Sequence, residues 1–112
     1  MKLYIAVLNE VPDFMVPTLV AHSMLGAHLV FDQDLIYDKW LKNSFKKCVL
    51  RVNQKEFIKI KGLGAVYLGH ENTTLNGEKS CAVVRPYPDD KDIPNVLKFA
   101  KLWAPKVFTT TN

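Results

Sequence analysis

The amino-acid sequence predicts a single α/β domain, in which one mixed four-stranded sheet carries helices on both faces. Short apolar runs, typical of buried strands, alternate along the chain with stretches whose apolar residues recur every three or four positions. The length of 112 residues is typical of one domain, residues 1–112. With 48% hydrophobic residues, the chain has enough apolar side chains for a core without disulfides or a structural metal.

Four strands follow from the apolar runs. They are residues 2–8, 47–52, 65–69 and 80–85. The first run is charged and then apolar, as in a secretory signal. We interpret it as a strand because its apolar part is short and ends at Asn9-Glu10 without a small-residue cleavage site.

Four helices complete a predicted order of β-α-α-β-α-β-β-α. They are residues 14–30, 35–43, 54–61 and 92–103. The small residues Ala21, Ser23, Gly26 and Ala27 let the first helix pack closely against a sheet. Asp34 is the expected cap of the second helix, and Asn53 with Glu56 has the form of a capping box for the third.

The last helix is predicted from a cap, an apolar face and a stop signal. Asp92 is the cap, Pro94 lies in the first turn and Pro105 ends the helix. Its apolar face consists of Ile93, Val96, Leu97, Ala100 and Trp103. Residues 109–112 are expected to form a frayed tail.

Cysteine content and charge predict the compartment and a class of partner. Cys48 and Cys81 each lie in an apolar run, and we expect two free thiols in a soluble cytoplasmic protein rather than a disulfide. No apolar run approaches the roughly 20 residues of a membrane span, so no membrane association is predicted. The net charge is +4, and basic residues are concentrated between positions 39 and 61. Gathered on one face, they could bind a phosphate backbone, or they could form an ordinary solvated surface.

No strong generic catalytic or metal-binding motif is present. His22 and His28 are six positions apart, about 240° around a helix, so they cannot ligate one metal from one face. We predict neither a metal nor a cofactor. His22 follows the first strand, on the side of an α/β sheet where functional sites collect. An ordinary, partly buried histidine is the alternative interpretation.

Taken in order, residues 2–104 resemble the type 2 peptidyl-tRNA hydrolase family. Residues 16–27 resemble the family's first helix, with His22 at the position of its histidine. The family's Trp-containing helix, basic pair, second strand and helix cap are matched in order by Trp40, Lys46-Lys47, residues 48–52 and Asn53. Residues 70–74 and 76–80 follow the order of the family's loop and turn before its last strand. The resemblance implies the family's fold and hydrolysis of the ester that joins a peptide to tRNA.

The departures from the family lie at its catalytic positions. The family's lysine, loop aspartate and turn threonine correspond to Met15, His70 and Glu78, and methionine supplies neither charge nor a hydrogen-bond donor. Activation of water would therefore need a substitute acid–base set. The candidate catalytic residues are His22, His70, Glu71, Thr74 and Ser80. The candidate RNA-binding residues are Lys39, Lys42, Lys46, Lys47, Arg51 and Lys79.

Three functions stay open at this point. The chain hydrolyses peptidyl- or aminoacyl-tRNA esters, or binds RNA or a protein without catalysis on the same fold, or is an unrelated α/β interaction module. The first function predicts that polar side chains from the first helix, residues 70–74 and residues 78–80 line one pocket. The second predicts a closed apolar patch there, around Met15 and Leu19. The expected partner is tRNA, and the oligomeric state is left open.

Overall fold

A computed structural model describes residues 1–106 of the chain. The strands are β1 (Lys2–Leu8), β2 (Lys46–Val52), β3 (Val66–Gly69), β4 (Cys81–Val84) and β5 (Lys101–Leu102). The helices are α1 (Val16–Phe31), α2 (Leu35–Asn43), α3 (Gln54–Lys61) and α4 (Asn95–Lys98). Single 3-10 turns occupy Asp13–Met15, Leu75–Gly77 and Asp90–Asp92.

The strands form one mixed sheet in the order β3-β4-β1-β2-β5. β1 and β2 are parallel, β4 is antiparallel to both β1 and β3, and β5 is antiparallel to β2. Consequently β1, β2 and β3 run in the same direction and end at the same side of the sheet. We call this side the carboxyl edge and the opposite side, where these three strands begin, the amino edge.

The prediction of a single α/β domain is confirmed, but the predicted strand count is wrong because the last helix is much shorter than expected. Helix α4 ends at Lys98, and the chain then pairs with β2 as β5, with Leu102 opposite Leu50. The Trp103 N–H donates to the Val49 carbonyl at 2.8 Å, which extends the pairing by one more residue. This segment satisfies backbone groups of β2 that would otherwise form an unpaired edge.

Because α4 is short, the residues near its start and on its apolar face also differ from those predicted. Asp89, not Asp92, accepts a backbone hydrogen bond, from Lys91 N–H, and Pro94 immediately precedes α4. Leu97 is buried, but Trp103 lies beyond the helix, half-buried, with its ring 5.1 Å from the Arg51 guanidinium. The predicted frayed tail, residues 109–112, lies outside the described residues.

Helix α1 packs closely on the sheet through small residues, as predicted. Ser23 and Ala27 are fully buried. A Cβ atom on Gly69 of β3 would overlap the Ser23 hydroxyl, and one on Gly26 would overlap the Tyr67 ring. Three of the four small residues therefore allow the close approach, while the fourth, Ala21, faces solvent.

Helices cover both faces of the sheet. Every residue of β1 from Leu3 to Leu8 is buried, so both faces of this central strand are shielded from water. Helix α1 covers one face, and α3 packs with α4 and the central strands through the buried Phe57 and Ile60. The predicted capping box is confirmed: Asn53 and Glu56 each accept the other's backbone N–H, at 2.8 and 3.0 Å.

Both predicted free cysteines are free in the structure. Cys48 is half-buried, and Cys81 lies in the core. Burial raises the pKa of the Cys81 thiol to about 12, against the smaller opposing effect of the Ser23 hydroxyl beside it. A thiol in this state is neutral and unreactive near pH 7.

The outer side of α1 is unusually apolar. The segment Asp13–Phe31 is long and apolar enough to cross a membrane by length and composition alone, a test that core helices of soluble proteins also pass. Only 28% of the tested window is buried. Leu25, Leu29 and Val30 are exposed, so this helix presents apolar side chains to solvent as well as to the sheet.

Candidate functional site

The carboxyl edge brings together α1 and the connection between β3 and β4. Ser80 anchors this connection, because its N–H donates to the Gly69 carbonyl at 2.9 Å and its carbonyl accepts from Leu8 N–H at 3.0 Å. The ends of β1 and β3 and the start of β4 are thus tied at one place. Residues 70–79 project from there beside the first half of α1.

His22 and Glu71 meet at this edge. His22 Nε2 lies 3.2 Å from Glu71 Oε2, although one residue comes from α1 and the other follows β3. The His22 side chain is 61% exposed and that of Glu71 only 15%, so a sheltered carboxylate holds an imidazole that is open to solvent. With Nε2–H donating to Glu71, Nδ1 is left as the proton acceptor of the ring.

Thr73 and Thr74 hold Glu71 in place. The Thr73 hydroxyl donates to Glu71 Oε1 at 3.4 Å, so both carboxylate oxygens have partners. The Thr74 N–H and hydroxyl donate to the Glu71 backbone carbonyl at 3.1 and 3.4 Å. Thr74, a predicted catalytic residue, is buried and therefore stabilises the turn that presents Glu71.

Ser80, another predicted catalytic residue, is fully buried. Within the described residues its hydroxyl has no hydrogen-bond partner. Its backbone joins β1 to β3, while its side chain faces away from solvent. The structure therefore places Ser80 at the site as an anchor of the edge and not on its open surface.

His70 and Lys79 form a second pair on the same connection. Lys79 Nζ lies 3.0 Å from His70 Nδ1, and both side chains are exposed. Because an ammonium group can only donate, His70 Nδ1 accepts in this contact. Asn76 and Gly77 have positive φ, 56° and 72°, in the turn that brings Lys79 back towards the end of β3.

Four of the predicted RNA-binding residues lie away from this site. Lys46 and Lys47 are at the start of β2, on the amino edge, and Lys39 and Lys42 are on α2. Over the seven residues of β2, the two edges are about 20 Å apart. Lys42 pairs with Asp38 at 3.1 Å, and Lys47 Nζ lies over the Phe45 ring.

Arg51 lies at the carboxyl edge, but its guanidinium is bonded to other residues of the protein. Its guanidinium is 3.2 Å from Asp13 Oδ1 and 3.4 Å from Asn9 Oδ1, and its side chain is 14% exposed. A hydrogen bond from Lys106 N–H and the Arg51 guanidinium hold the pKa of Asp13 below its ordinary value, against the opposing effect of desolvation. Of the predicted cationic residues, Lys79 alone lies exposed at the carboxyl edge within residues 1–106.

The positions of the family's lysine and glutamine hold core residues. Leu19 is fully buried, and Met15 is half-buried against the core. Both residues therefore pack into the core, in keeping with the closed apolar patch that the function without catalysis predicts there. The predicted polar residues converge in part, as the pairs His22–Glu71 and His70–Lys79.

A groove between β2 and β5 was not predicted. It opens at the carboxyl edge and has a volume of about 370 Å³. Its walls are Asn9, Arg51, Val52, Asn53, Glu56, Phe99 and Lys101, and we call it the β2–β5 groove. The sequence signal that could have revealed it is Phe99, an aromatic residue that lies off the apolar face assigned to the last helix.

A second groove of about 350 Å³ lies towards the amino edge. Lys2, Tyr4, Asp90, Lys91, Ile93 and Lys98 line it, and we call it the amino-edge groove. Three of these six side chains are lysines, and Lys91 is 3.6 Å from Asp89. Within residues 1–106, no three His, Cys, Asp or Glu side chains are grouped so that they could hold a metal ion.

No protein-family model matches this chain, and no curated protein is significantly similar to it. The inference of function therefore depends on the side-chain geometry described above.

Proposed function

We propose that this chain hydrolyses the ester bond of peptidyl- or aminoacyl-tRNA, with His22 as the general base. The observation that carries the proposal is the 3.2 Å contact between His22 Nε2 and Glu71 Oε2. A carboxylate that fixes one nitrogen of an imidazole orients the other nitrogen and stabilises the imidazolium that forms during proton transfer. A partly buried carboxylate beside an exposed imidazole is the arrangement that this role requires.

The reaction follows from these positions. His22 Nδ1 takes a proton from a water molecule as the water oxygen attacks the ester carbonyl. The tetrahedral intermediate then breaks its bond to the ribose oxygen, which takes the proton back from Nδ1. The products are a free carboxylic acid and a tRNA with a free terminal hydroxyl. Lys79, on the same connection as Glu71, supplies a positive charge for the developing oxyanion or for a nearby phosphate.

Three features support tRNA as the substrate. The order of segments over residues 2–104 resembles the type 2 peptidyl-tRNA hydrolase family, and we propose that the fold is of that type. The net charge is +4, which favours binding of a polyanion. Exposed lysines occur at both edges of the sheet, next to His70 and in the amino-edge groove. The proposed setting is the cytoplasm, where the substrate is made.

The test is cleavage of N-acetyl-aminoacyl-tRNA that carries a labelled amino acid. His22→Ala should lower kcat by about 10²- to 10⁴-fold, the usual effect of losing a general base. Glu71→Gln should lower kcat less, and Asp32→Asn, which changes an exposed carboxylate at the far end of α1, is the matched control. Absence of cleavage by the parent protein, or full activity of His22→Ala, would overturn the proposal.

A second candidate function is a binding module without catalysis. It is favoured by the exposed Leu25, Leu29 and Val30, which lie on the helix that carries His22. Exposed apolar side chains grouped on one surface commonly mark interaction sites. The cleavage assay distinguishes the two functions, because a binding module releases no labelled amino acid, whether His22 is present or replaced by Ala.

A further inference from the structure

We propose that the β2–β5 groove binds an unpaired nucleotide, with the base stacked on Phe99 and the phosphate beside Lys101. The proposal rests on the proposed function in one respect, since it takes the nucleotide to belong to the single-stranded end of the tRNA substrate. The groove is separate from the His22–Glu71 contact, so its ligand is tested by binding alone.

Phe99 provides the stacking surface. Its side chain is 74% exposed although it lines a groove whose other walls are mostly polar. Lys98 Nζ lies 5.9 Å from the centre of the ring. An exposed aromatic ring with cationic neighbours suits a nucleotide, because the base stacks on the ring while the phosphate meets the charge.

The walls offer both hydrogen-bond donors and an acceptor. The side-chain oxygen of Asn53 accepts from Glu56 N–H, and that of Asn9 accepts from the Arg51 guanidinium. Each amide therefore presents its NH₂ group as its donor to a ligand. Glu56 uses Oε1 for the Asn53 N–H, and its second oxygen can accept from an amino group of a base. Base edges carry both kinds of partner.

Lys101 supplies the charge for a phosphate. It is exposed in β5, directly opposite Arg51. Arg51 is held by Asp13 and Asn9, so its guanidinium forms a fixed wall of the groove. The exposed ammonium group of Lys101 is the cation that can meet a phosphate. A lysine acts on a phosphate as a compact point charge without demanding a fixed geometry.

The groove and the His22–Glu71 contact share the carboxyl edge. Three strand-to-strand steps separate β2 from β3 in the sheet, which corresponds to roughly 14 Å along the edge. The path from the groove to His22 is longer than this, because the groove lies beside α3 and α1 covers the opposite face of the sheet. An RNA end with its ester at His22 must therefore cross the carboxyl edge to place an upstream nucleotide in the groove. This arrangement gives the site a preference for single-stranded ends, which a duplex cannot satisfy.

The test is binding of a labelled six-nucleotide single-stranded RNA, followed by fluorescence anisotropy at fixed salt. Phe99→Ala should weaken binding by about 5- to 150-fold, the loss expected when one stacked base is released. Phe99→Tyr should retain the parent affinity, because it keeps an aromatic ring. Leu102→Ala is the matched control, since it removes an exposed apolar side chain nearby that does not line the groove.

The outcomes separate this inference from the proposed function. Phe99-dependent RNA binding without ester cleavage overturns the proposed function and supports the groove. Ester cleavage with an unchanged KM in Phe99→Ala, or RNA binding that does not respond to this change, overturns the groove. Binding of AMP as tightly as the six-nucleotide RNA shows a free-nucleotide site and overturns the assignment to an RNA end.

Discussion

The two edges of the sheet differ in how their charged groups are arranged. At the carboxyl edge charged and polar groups come in contacting pairs, with His22 against Glu71 and Arg51 against Asp13. Each of these pairs joins residues that are distant in sequence. The amino edge has such a pair too, Arg85 with Asp34, but there Lys2 and Lys46 are also register partners on parallel strands, and like charges at such positions repel.

The candidate catalytic pair and most of the predicted RNA-binding lysines thus lie at different edges of the sheet. The basic residues between positions 39 and 61 are close in sequence, but Lys46 and Lys47 lie at the amino edge and Arg51 lies at the carboxyl edge. The paired groups come from separate elements and become a site only when the sheet forms.

Truncation of Trp40 should be the most damaging single change. Trp40 is fully buried, packs on Tyr37, and donates from Nε1 to the Lys46 carbonyl at 2.8 Å, at the start of β2. Trp40→Ala should lower the free energy of unfolding by roughly 3–5 kcal/mol, measured by urea denaturation. Trp103→Ala is the control, and it should cost less because Trp103 is only half-buried. Equal losses for Trp40→Ala and Trp103→Ala would show that the complete burial of Trp40 adds no stability at the amino edge.

A methyl group on Gly69 should damage the carboxyl edge. Gly69→Ala would force α1 away from β3, because its Cβ overlaps the Ser23 side chain. We expect a loss of about 1–3 kcal/mol in unfolding free energy. Ester cleavage should also fall, because His22 is part of α1 and moves with the displaced helix. Gly62→Ala is the matched control, because its Cβ meets only an ordinary contact at 3.5 Å and its φ is −84°. Unimpaired cleavage by Gly69→Ala would contradict close packing at this edge.

Charge reversal at the amino edge should weaken RNA binding without affecting the chemical step. If Lys46 and Lys47 each contact one phosphate, the double change to Glu should reduce the slope of log affinity against log salt by about 2. Single-turnover cleavage at saturating protein should be unchanged. Lys79→Glu should lower cleavage as well as affinity, because Lys79 lies at the carboxyl edge. A salt slope that does not change would show that the amino edge is only a solvated surface.

The smallest effect concerns acid stability at the amino edge. Asp34 caps α2 and pairs with Arg85 at 3.0 Å. Desolvation raises its pKa, but hydrogen bonds from Tyr37 N–H and Arg85 outweigh this and hold it below 3.8. The stabilisation is present above pH 3.8 and is lost as the pH falls through the lower folded-state value. Asp34→Asn keeps the cap and removes the charge. Between pH 5 and pH 2 its unfolding free energy should therefore fall less than that of the parent protein, and the difference should be about 1 kcal/mol or under. An identical decline in both proteins would rule out a contribution from this ion pair.

Local patterns predicted most of the fold. The capping box of Asn53 and Glu56, and the small residues Ser23 and Gly26, depend on neighbours a few positions away or on side-chain size, and both are confirmed. The last helix was predicted too long because residues 101–103 fit a helical period equally well. Hydrogen bonds to β2 decide their structure, and no local pattern contains that information.

The sequence predicts individual residues of the candidate site but not the contacts between them. His22 and Glu71 were both named from the sequence, and the structure adds their contact. Arg51 was assigned to RNA because of its charge, whereas its distant partner Asp13 was not foreseeable from spacing. Phe99 was missed although it lies off the apolar face assigned to the last helix, because nothing in the sequence places it beside Asn53 and Glu56.

A double-mutant cycle on His22 and Glu71 tests whether the two side chains act as one unit. Single-turnover cleavage of N-acetyl-aminoacyl-tRNA would be measured for the parent, His22→Ala, Glu71→Gln and the double variant. If Glu71 acts by orienting His22, the double variant should be no slower than His22→Ala alone, because the effects of residues that act as a unit do not add. If the two losses multiply, Glu71 and His22 act independently, and the proposed pairing at the carboxyl edge is wrong.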